Sequence, residues 1–221
     1  MGNTLTIFDL DNTLIQGDSS TVWSQFMVRE GLATQKGYLA REARLMADYD
    51  RGEMNIADYV ALIQAPLAGI PKSDVDALVA RCVREAILPR VYPQAWELIR
   101  RLRAVGEQML IISASVSLLV QAVAAALEID QALGIDVAMV DGGYSGVIAG
   151  IPSYQQGKVA RLAQWREAHP QYDGEVTFYT DSINDLPLCL HADRVRLVNP
   201  CPQLQAAGAG YGWPVLSWRL E

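Results

Sequence analysis

From Pro89 to Val198 the chain alternates between two hydrophobic periods, and this alternation constrains its fold more than any other feature. Helix-like spacing over Pro93–Val105 gives way to a strand-like run at Gln108–Ser113, then a helix at Val116–Glu128 and a strand at Val137–Val140. A short hairpin is predicted around Gly142-Gly143 and Val147-Ile148. The alternation then resumes with helix Gln155–Ala168, strand Glu175–Thr180, helix Asn184–His191 and strand Val195–Val198. Strands separated by helices predict a parallel sheet covered on both faces, a doubly wound α/β fold. One more strand is predicted ahead of this series, at Thr4–Leu10. The text between Ser19 and Leu88 is helical throughout, with helices predicted over Ser20–Glu30, Thr34–Asp50, Asn55–Ala65 and Lys72–Ile87. The expected organisation is a core formed by residues 1–15 and 89–221, with an all-helical cap, 16–88, inserted after the first strand.

Composition narrows the partners. With 51% hydrophobic and 19% charged residues the chain is expected to fold around one main core. A formal net charge of -7, without a Lys or Arg run, speaks against nucleic acid and for a small polar ligand. Three cysteines with no CxxC pair fit a reducing cytoplasm rather than a disulfide framework, and two histidines are too few for a zinc site. A metal here is therefore expected to be hard and oxygen-bound. The longest apolar stretch, Val116–Ile129, is too short and too amphipathic to span a bilayer, and no membrane partner is expected. Met1–Thr6 matches a myristoylation pattern formally, but strand-like residues follow within two positions and the match is read as coincidence.

Two acidic clusters carry the chemistry. In FDLDNTL, Phe8–Leu14, Asp9 and Asp11 stand next to an apolar run, where their repulsion and desolvation call for a cation or a proton. An Asx turn is the ordinary alternative. An EF-hand loop is excluded, because Leu14 stands where glycine is required and Ser20 where glutamate is. In YTDSINDLP, Tyr179–Pro187, Asp181 and Asp185 stand four apart where a helix begins, which caps alone could explain. Both clusters fall at carboxyl ends of predicted strands, where doubly wound sheets bind ligands, so their carboxylates can converge on one cation. Ser113 ends the strand MLIIS, and Lys158 lies in QQGKVARL; a helix cap and a solvent-facing lysine are their ordinary readings. The Gly-Lys pair is not a P-loop, since Val159 replaces the required Ser or Thr and Pro152 the first Gly.

Taken in order, DLDNTL, Ser113, Lys158 and TDSINDLP, with NPCPQL from Asn199 to Leu204, resemble the haloacid dehalogenase-like superfamily and, within it, its phosphoserine phosphatase-like branch. The resemblance implies a magnesium-dependent phosphatase acting on a small phosphorylated metabolite through an aspartyl phosphate. It implies Asp9 as nucleophile and Asp11 as general acid and then base. Asp9, the Asp11 backbone carbonyl and Asp181 would hold Mg2+, with Asp185 in or behind the metal shell. Ser113, Lys158 and Asn184 would bind the phosphoryl group. Dehalogenases and ion-pumping ATPases of this superfamily lack an acid two residues after the nucleophile, so Asp11 leaves phosphatases and phosphomutases. A phosphomutase, or a phosphometabolite-binding protein without turnover, remains the alternative, and the chain is expected to be a monomer or homodimer.

Asp18 occupies the position at which phosphoserine phosphatases carry an acid that pairs with the substrate amine; capping of the helix near Ser20 is its other reading. An amino-containing ester is expected, either histidinol phosphate or phosphoserine. Trp23 could pack against a flat ring, and Arg29, Arg41, Arg44 and Arg51 are the arginines of the insert available to a carboxylate.

Overall fold

Leu5–Phe8 (β1) is buried on both faces and lies inside a six-stranded parallel sheet. In the computed structural model, residues 3–220 are described; Met1, Gly2 and Glu221 lie outside them, and with Met1 and Gly2 goes the start of the myristoylation-like pattern. Strand order is β3-β2-β1-β6-β7-β8, with β2 at Gln108–Val116, β3 at Gln131–Ile135, β6 at Val176–Thr180, β7 at Arg194–Val198 and β8 at Val215–Leu216. Phe8 pairs with Ile111 on one side and Tyr179 on the other. Leu5, Ile7, Leu110, Ile112 and Phe178 face one apolar layer, into which Leu162 and Trp165 of α7 (Gln156–Ala168), Leu188 of α8 (Leu186–His191) and Leu204 of α9 (Pro202–Ala209) pack. Phe8, Met109 and Ile111 face the other, against α5 (Pro93–Ala104) and α6 (Ser117–Ala126). Such two-sided burial is why these strands read as apolar runs instead of alternating.

Between β1 and β2 the described secondary structure consists of helices: α1 (Ser19–Arg29), α2 (Tyr38–Asp50), α3 (Ile56–Gln64), α4 (Lys72–Cys82) with its π-helical extension Val83–Ile87, short 3-10 turns, and then α5. The chain leaves and returns side by side. Gln16 N donates to Arg90 O at 2.8 Å and Tyr92 N to Leu14 O at 3.0 Å, and Ile15 pairs antiparallel with Val91. Among the described residues no helix is long and apolar enough to cross a membrane.

One strand differs from expectation. Val137–Val140 (β4) is not in the main sheet; it pairs antiparallel with Gly143–Ile148 (β5) in a separate two-stranded ribbon. The edge position belongs to β3, QALGI, which pairs with β2 from Leu110 to Val116 across a register shift. β2 also runs three residues beyond Ser113, so that Ser113 and Ser115 both lie on the strand.

Connections from β1 run towards β2 and β3, while those from β6 run towards β7 and β8. The carboxyl ends of adjacent β1 and β6 thus form the crevice where a doubly wound sheet takes its ligand.

Candidate active site

Asp9 follows β1 directly, and its backbone N donates to Tyr179 O at 2.9 Å, tying it to the end of β6. The next residues turn sharply. Asn12 adopts a φ of 54°, and its side chain accepts from Gly17 N at 3.0 Å. The turn sends the two carboxylates to different partners. Asp9, 3% exposed, accepts from Lys158 Nζ at 2.8 Å through Oδ1. Asp11 turns towards β2: Oδ2 accepts from Ser115 Oγ at 2.9 Å and from Ser113 Oγ at 3.3 Å, and Oδ1 from Ser19 N at 2.6 Å.

Lys158 comes from the first turn of α7 and is fully buried. Its approach depends on Gly157, where an added Cβ would stand 1.9 Å from Pro152 O. The Nζ also lies 2.6 Å from Asp185 Oδ1, while Asp185 Oδ2 accepts from Thr180 Oγ1 at 2.7 Å. Burial is the largest influence on the ammonium and lowers its pKa, but Asp185 and Asp9 together override it, and Lys158 stays above the ordinary lysine range. Asp181, at the end of β6, accepts from the buried Thr13 Oγ1 at 3.2 Å.

This end of the sheet is short of positive charge. Three carboxylates, those of Asp9, Asp181 and Asp185, share one ammonium. Asp9 is pushed up to about 7 by burial, which Lys158 opposes and which Asp185 and Asp11 reinforce. Asp181 is raised well above the carboxylate range by burial and then by Asp9 and Asp185. Such strain is relieved by a cation or by protons.

A cavity of about 480 Å³ opens above these residues between insert and sheet. Asp11, Asp181, Ser182 and Cys201 line it from the sheet side, and Asp18, Thr21, Met46, Tyr49 and Asp50 from the insert. Asp18 caps α1, accepting from Thr21 N at 2.8 Å through Oδ1; no hydrogen bond to Oδ2 occurs among the described residues. Burial, then Asp11, raises its pKa well above the carboxylate range. Among the described residues no arginine lines the cavity. Arg29 and Arg51 form exposed ion pairs, and Arg41 and Arg44 line a separate open groove on the insert. Trp23 is fully buried against Phe26, at a ring-centroid distance of 5.5 Å, and does not line the cavity.

Asn184 reaches the insert. Its Nδ2 donates to Tyr49 O at 2.7 Å, and its Oδ1 accepts from Gln155 Nε2 at 3.2 Å, a group that also donates to Gly52 O at 3.1 Å. Thr13, Thr180, Tyr49, Ser115 and Glu42 were not singled out by sequence. Glu42, 3% exposed on α2, accepts from Thr21 Oγ1 at 2.6 Å. Only Thr13 carried a signal, as the last polar residue of the DLDNT run.

Residues 6–189 match the family model described as haloacid dehalogenase-like hydrolase. A histidinol-phosphatase of Neisseria meningitidis serogroup C (strain 8013) is 33% identical over 219 residues, covering 97% of this chain and 99% of that protein. Among solved structures, a protein of unknown function from Bordetella pertussis Tohama I superposes with a TM-score of 0.88 at 31% identity, over 98% of this chain and 99% of that one. A substrate-bound phosphoserine phosphatase shares the fold with a TM-score of 0.67 at 16% identity, over 93% of this chain and 90% of that one.

Proposed function

This chain belongs to the haloacid dehalogenase-like hydrolase family and is a phosphatase, and from that premise we propose that it hydrolyses a small amino-containing phosphomonoester through a phosphorylated Asp9. The observation that carries the reading is the buried Lys158 bridging Asp9 and Asp185 at the ligand-binding end of the sheet.

Asp9 Oδ1 is held by Lys158, while Oδ2 has no hydrogen bond among the described residues and is the attacking oxygen. As the Asp9–phosphorus bond forms and the ester bond breaks, Asp11 gives its proton to the departing oxygen. Asp11, now ionised, takes a proton from the water that attacks phosphorus, and inorganic phosphate leaves Asp9 free. Lys158 has three N–H donors; one is donated to Asp9, Asp185 Oδ1 stands 2.6 Å from the ammonium as an ion pair, and a remaining donor, with Ser113 Oγ, serves a phosphoryl oxygen.

The donor set fits magnesium: all oxygen, with more negative charge than Lys158 offsets. Among the described residues no group of three or more His, Cys, Asp or Glu side chains is placed to hold a metal ion, so a site here would need backbone oxygen as well. Asp9 and Asp181 would supply two ligands, and the Asp11 carbonyl, which accepts no hydrogen bond among the described residues, a third. When bound, the ion offsets the repulsion between anionic Asp9 and an anionic phosphate. Asp185, with Lys158 and Thr180 on its two oxygens, stands behind the lysine as the group that holds it. Residues 16–88 act as the cap. Asn184, committed to Tyr49 O, serves in this arrangement to hold that cap to the sheet rather than to meet phosphate.

The cavity wall selects the substrate. Asp11, Asp18, Asp50 and Asp181 line it without an arginine, which favours a cationic amine and disfavours a carboxylate. Histidinol phosphate therefore fits better than phosphoserine. The test is phosphate release with magnesium from both esters and from deaminated histidinol phosphate, in wild type and Asp18→Asn. The expected result is that kcat/KM falls on loss of either the amine or the Asp18 carboxyl group, which ionises against the bound ammonium, and that the two losses together cost little more than one. Loss of the amine at no cost overturns the substrate assignment.

A further inference from the structure

Five hydroxyl groups are gathered behind Asp11, more than its capping or the packing of β2 requires. Ser115, 3% exposed, donates to Asp11 Oδ2 at 2.9 Å. Its Oγ lies 3.1 Å from both Ser19 Oγ and Ser20 Oγ, each at most 1% exposed. Ser20 Oγ in turn contacts the hydroxyl of Tyr59, a buried residue of α3.

Counting protons fixes the direction of this chain. Once its proton has passed to the ester oxygen, Asp11 is an ionised carboxylate that only accepts, and a serine hydroxyl has one proton and two lone pairs. With the Ser115 proton committed to Asp11, the hydroxyls of Ser19 and Ser20 must donate to Ser115. Ser20 then has no proton left, so Tyr59 must donate to it. Every proton points from the insert towards Asp11, and each donor strengthens the next. Ser113 donates to Asp11 at the longer distance of 3.3 Å and accepts from Ser115 N at 3.0 Å, so its one proton turns from Asp11 to serve a phosphoryl oxygen.

We propose that Ser115 is a positioning residue for Asp11, and that Ser20 and Tyr59 behind it keep its proton aimed at the carboxylate. The inference rests on the reading of Asp11 as general acid. As Asp11 passes its proton to the ester oxygen, the charge left on Oδ2 meets a donor already in place, with no reorganisation. The same chain links the insert to the acid, because Tyr59 belongs to the insert and Ser115 to the sheet.

The test compares a leaving group that departs without a proton, para-nitrophenyl phosphate, with an alkoxide leaving group, benzyl phosphate. The quantity read is the ratio of their kcat/KM values, which extends only through departure of the leaving group and excludes hydrolysis of the intermediate. Ser115→Ala is expected to shift the ratio against benzyl phosphate by about 10-fold, a part of the whole general-acid contribution. Tyr59→Phe, which keeps the ring volume and the fold, is expected to shift it the same way by about 3-fold. Circular dichroism and thermal melting verify folding, and Tyr59→Phe carries the test if Ser115→Ala does not fold. Equal losses on both esters would assign these hydroxyls to packing and overturn the proposal. Asp11→Asn in the same assay separates the two levels. A large shift there with none in Ser115→Ala or Tyr59→Phe refutes this inference alone, whereas no shift in Asp11→Asn refutes the general-acid reading and this inference with it.

Discussion

Lys158 Nζ stands 2.8 Å from Asp9 Oδ1, and neither side chain is more than 4% exposed. A lysine whose sequence surroundings suggest a solvated helix start is therefore the main counter-charge at this end of the sheet. Removing one partner of a buried pair leaves the other uncompensated, so Lys158→Met is expected to abolish turnover and to destabilise the metal-free protein by about 3–5 kcal/mol. Urea unfolding in chelator measures the second effect. The stability loss should be smaller at about pH 5 than at about pH 8, because protons then neutralise the stranded carboxylates.

Glu42 gives a pH test away from the phosphate-binding residues. Burial raises its pKa above the ordinary 4.5, and the bond from Thr21 only partly opposes this. Above pH 4.5 the folded protein holds a proton that the unfolded chain has released, so this residue's contribution to stability falls as pH rises through that window. Glu42→Gln is isosteric and removes the charge. The variant should match wild type in melting temperature at low pH and exceed it by a growing margin above pH 4.5. A constant offset across the range would mean that the carboxylate is not strained by burial.

Chelation should abolish activity, and magnesium should restore it where calcium does so poorly. Calcium accepts a looser, larger oxygen shell and can take both oxygens of a carboxylate, which would withdraw Asp9 Oδ2 from attack. Magnesium should also raise the melting temperature of the chelated protein, because it binds the folded state and offsets the excess carboxylate charge. Equal rates with the two ions would contradict the assignment of Asp9 Oδ2 as nucleophile.

Much of the fold was legible because both sheet faces are buried at β1 and β2, which turns them into largely apolar runs that end in polar clusters, while β6 reads as a strand through its alternating burial. Edge elements were not. β3, QALGI, carries a Gln and a Gly that read as loop, yet Gly134 is there because a Cβ would stand 2.7 Å from Ser117 Cα. Val137–Val140 has the better strand composition but lies in the ribbon, where Met139 and Val140 are exposed. α9 and β8 went unpredicted, since Pro202–Ala209 is short and β8 is two residues long. Within the site, Asp9, Asp11 and Asp181 stood out through their spacing beside apolar strands. Ser115, Tyr49 and Glu42 did not, because a serine, a tyrosine and a glutamate acquire meaning only when burial and a partner distant in sequence are known. Asp18 illustrates the limit of a single residue read two ways: it is the N-cap of α1 and it also lines the cavity.

The central claim is that the phosphoryl group passes through Asp9, and the most direct measurement is to trap it there. Asp11→Asn, which lacks the base for the second step, is mixed with magnesium and para-nitrophenyl phosphate, whose leaving group needs no proton from Asp11 in the first step, quenched in acid within one turnover and digested, and the peptides are weighed by mass spectrometry. The account predicts one phosphoryl group on the peptide containing Asp9, absent from Asp9→Asn and from protein quenched without substrate. Phosphate release by Asp9→Asn at a wild-type rate, or a phosphoryl group on any other residue, would contradict it.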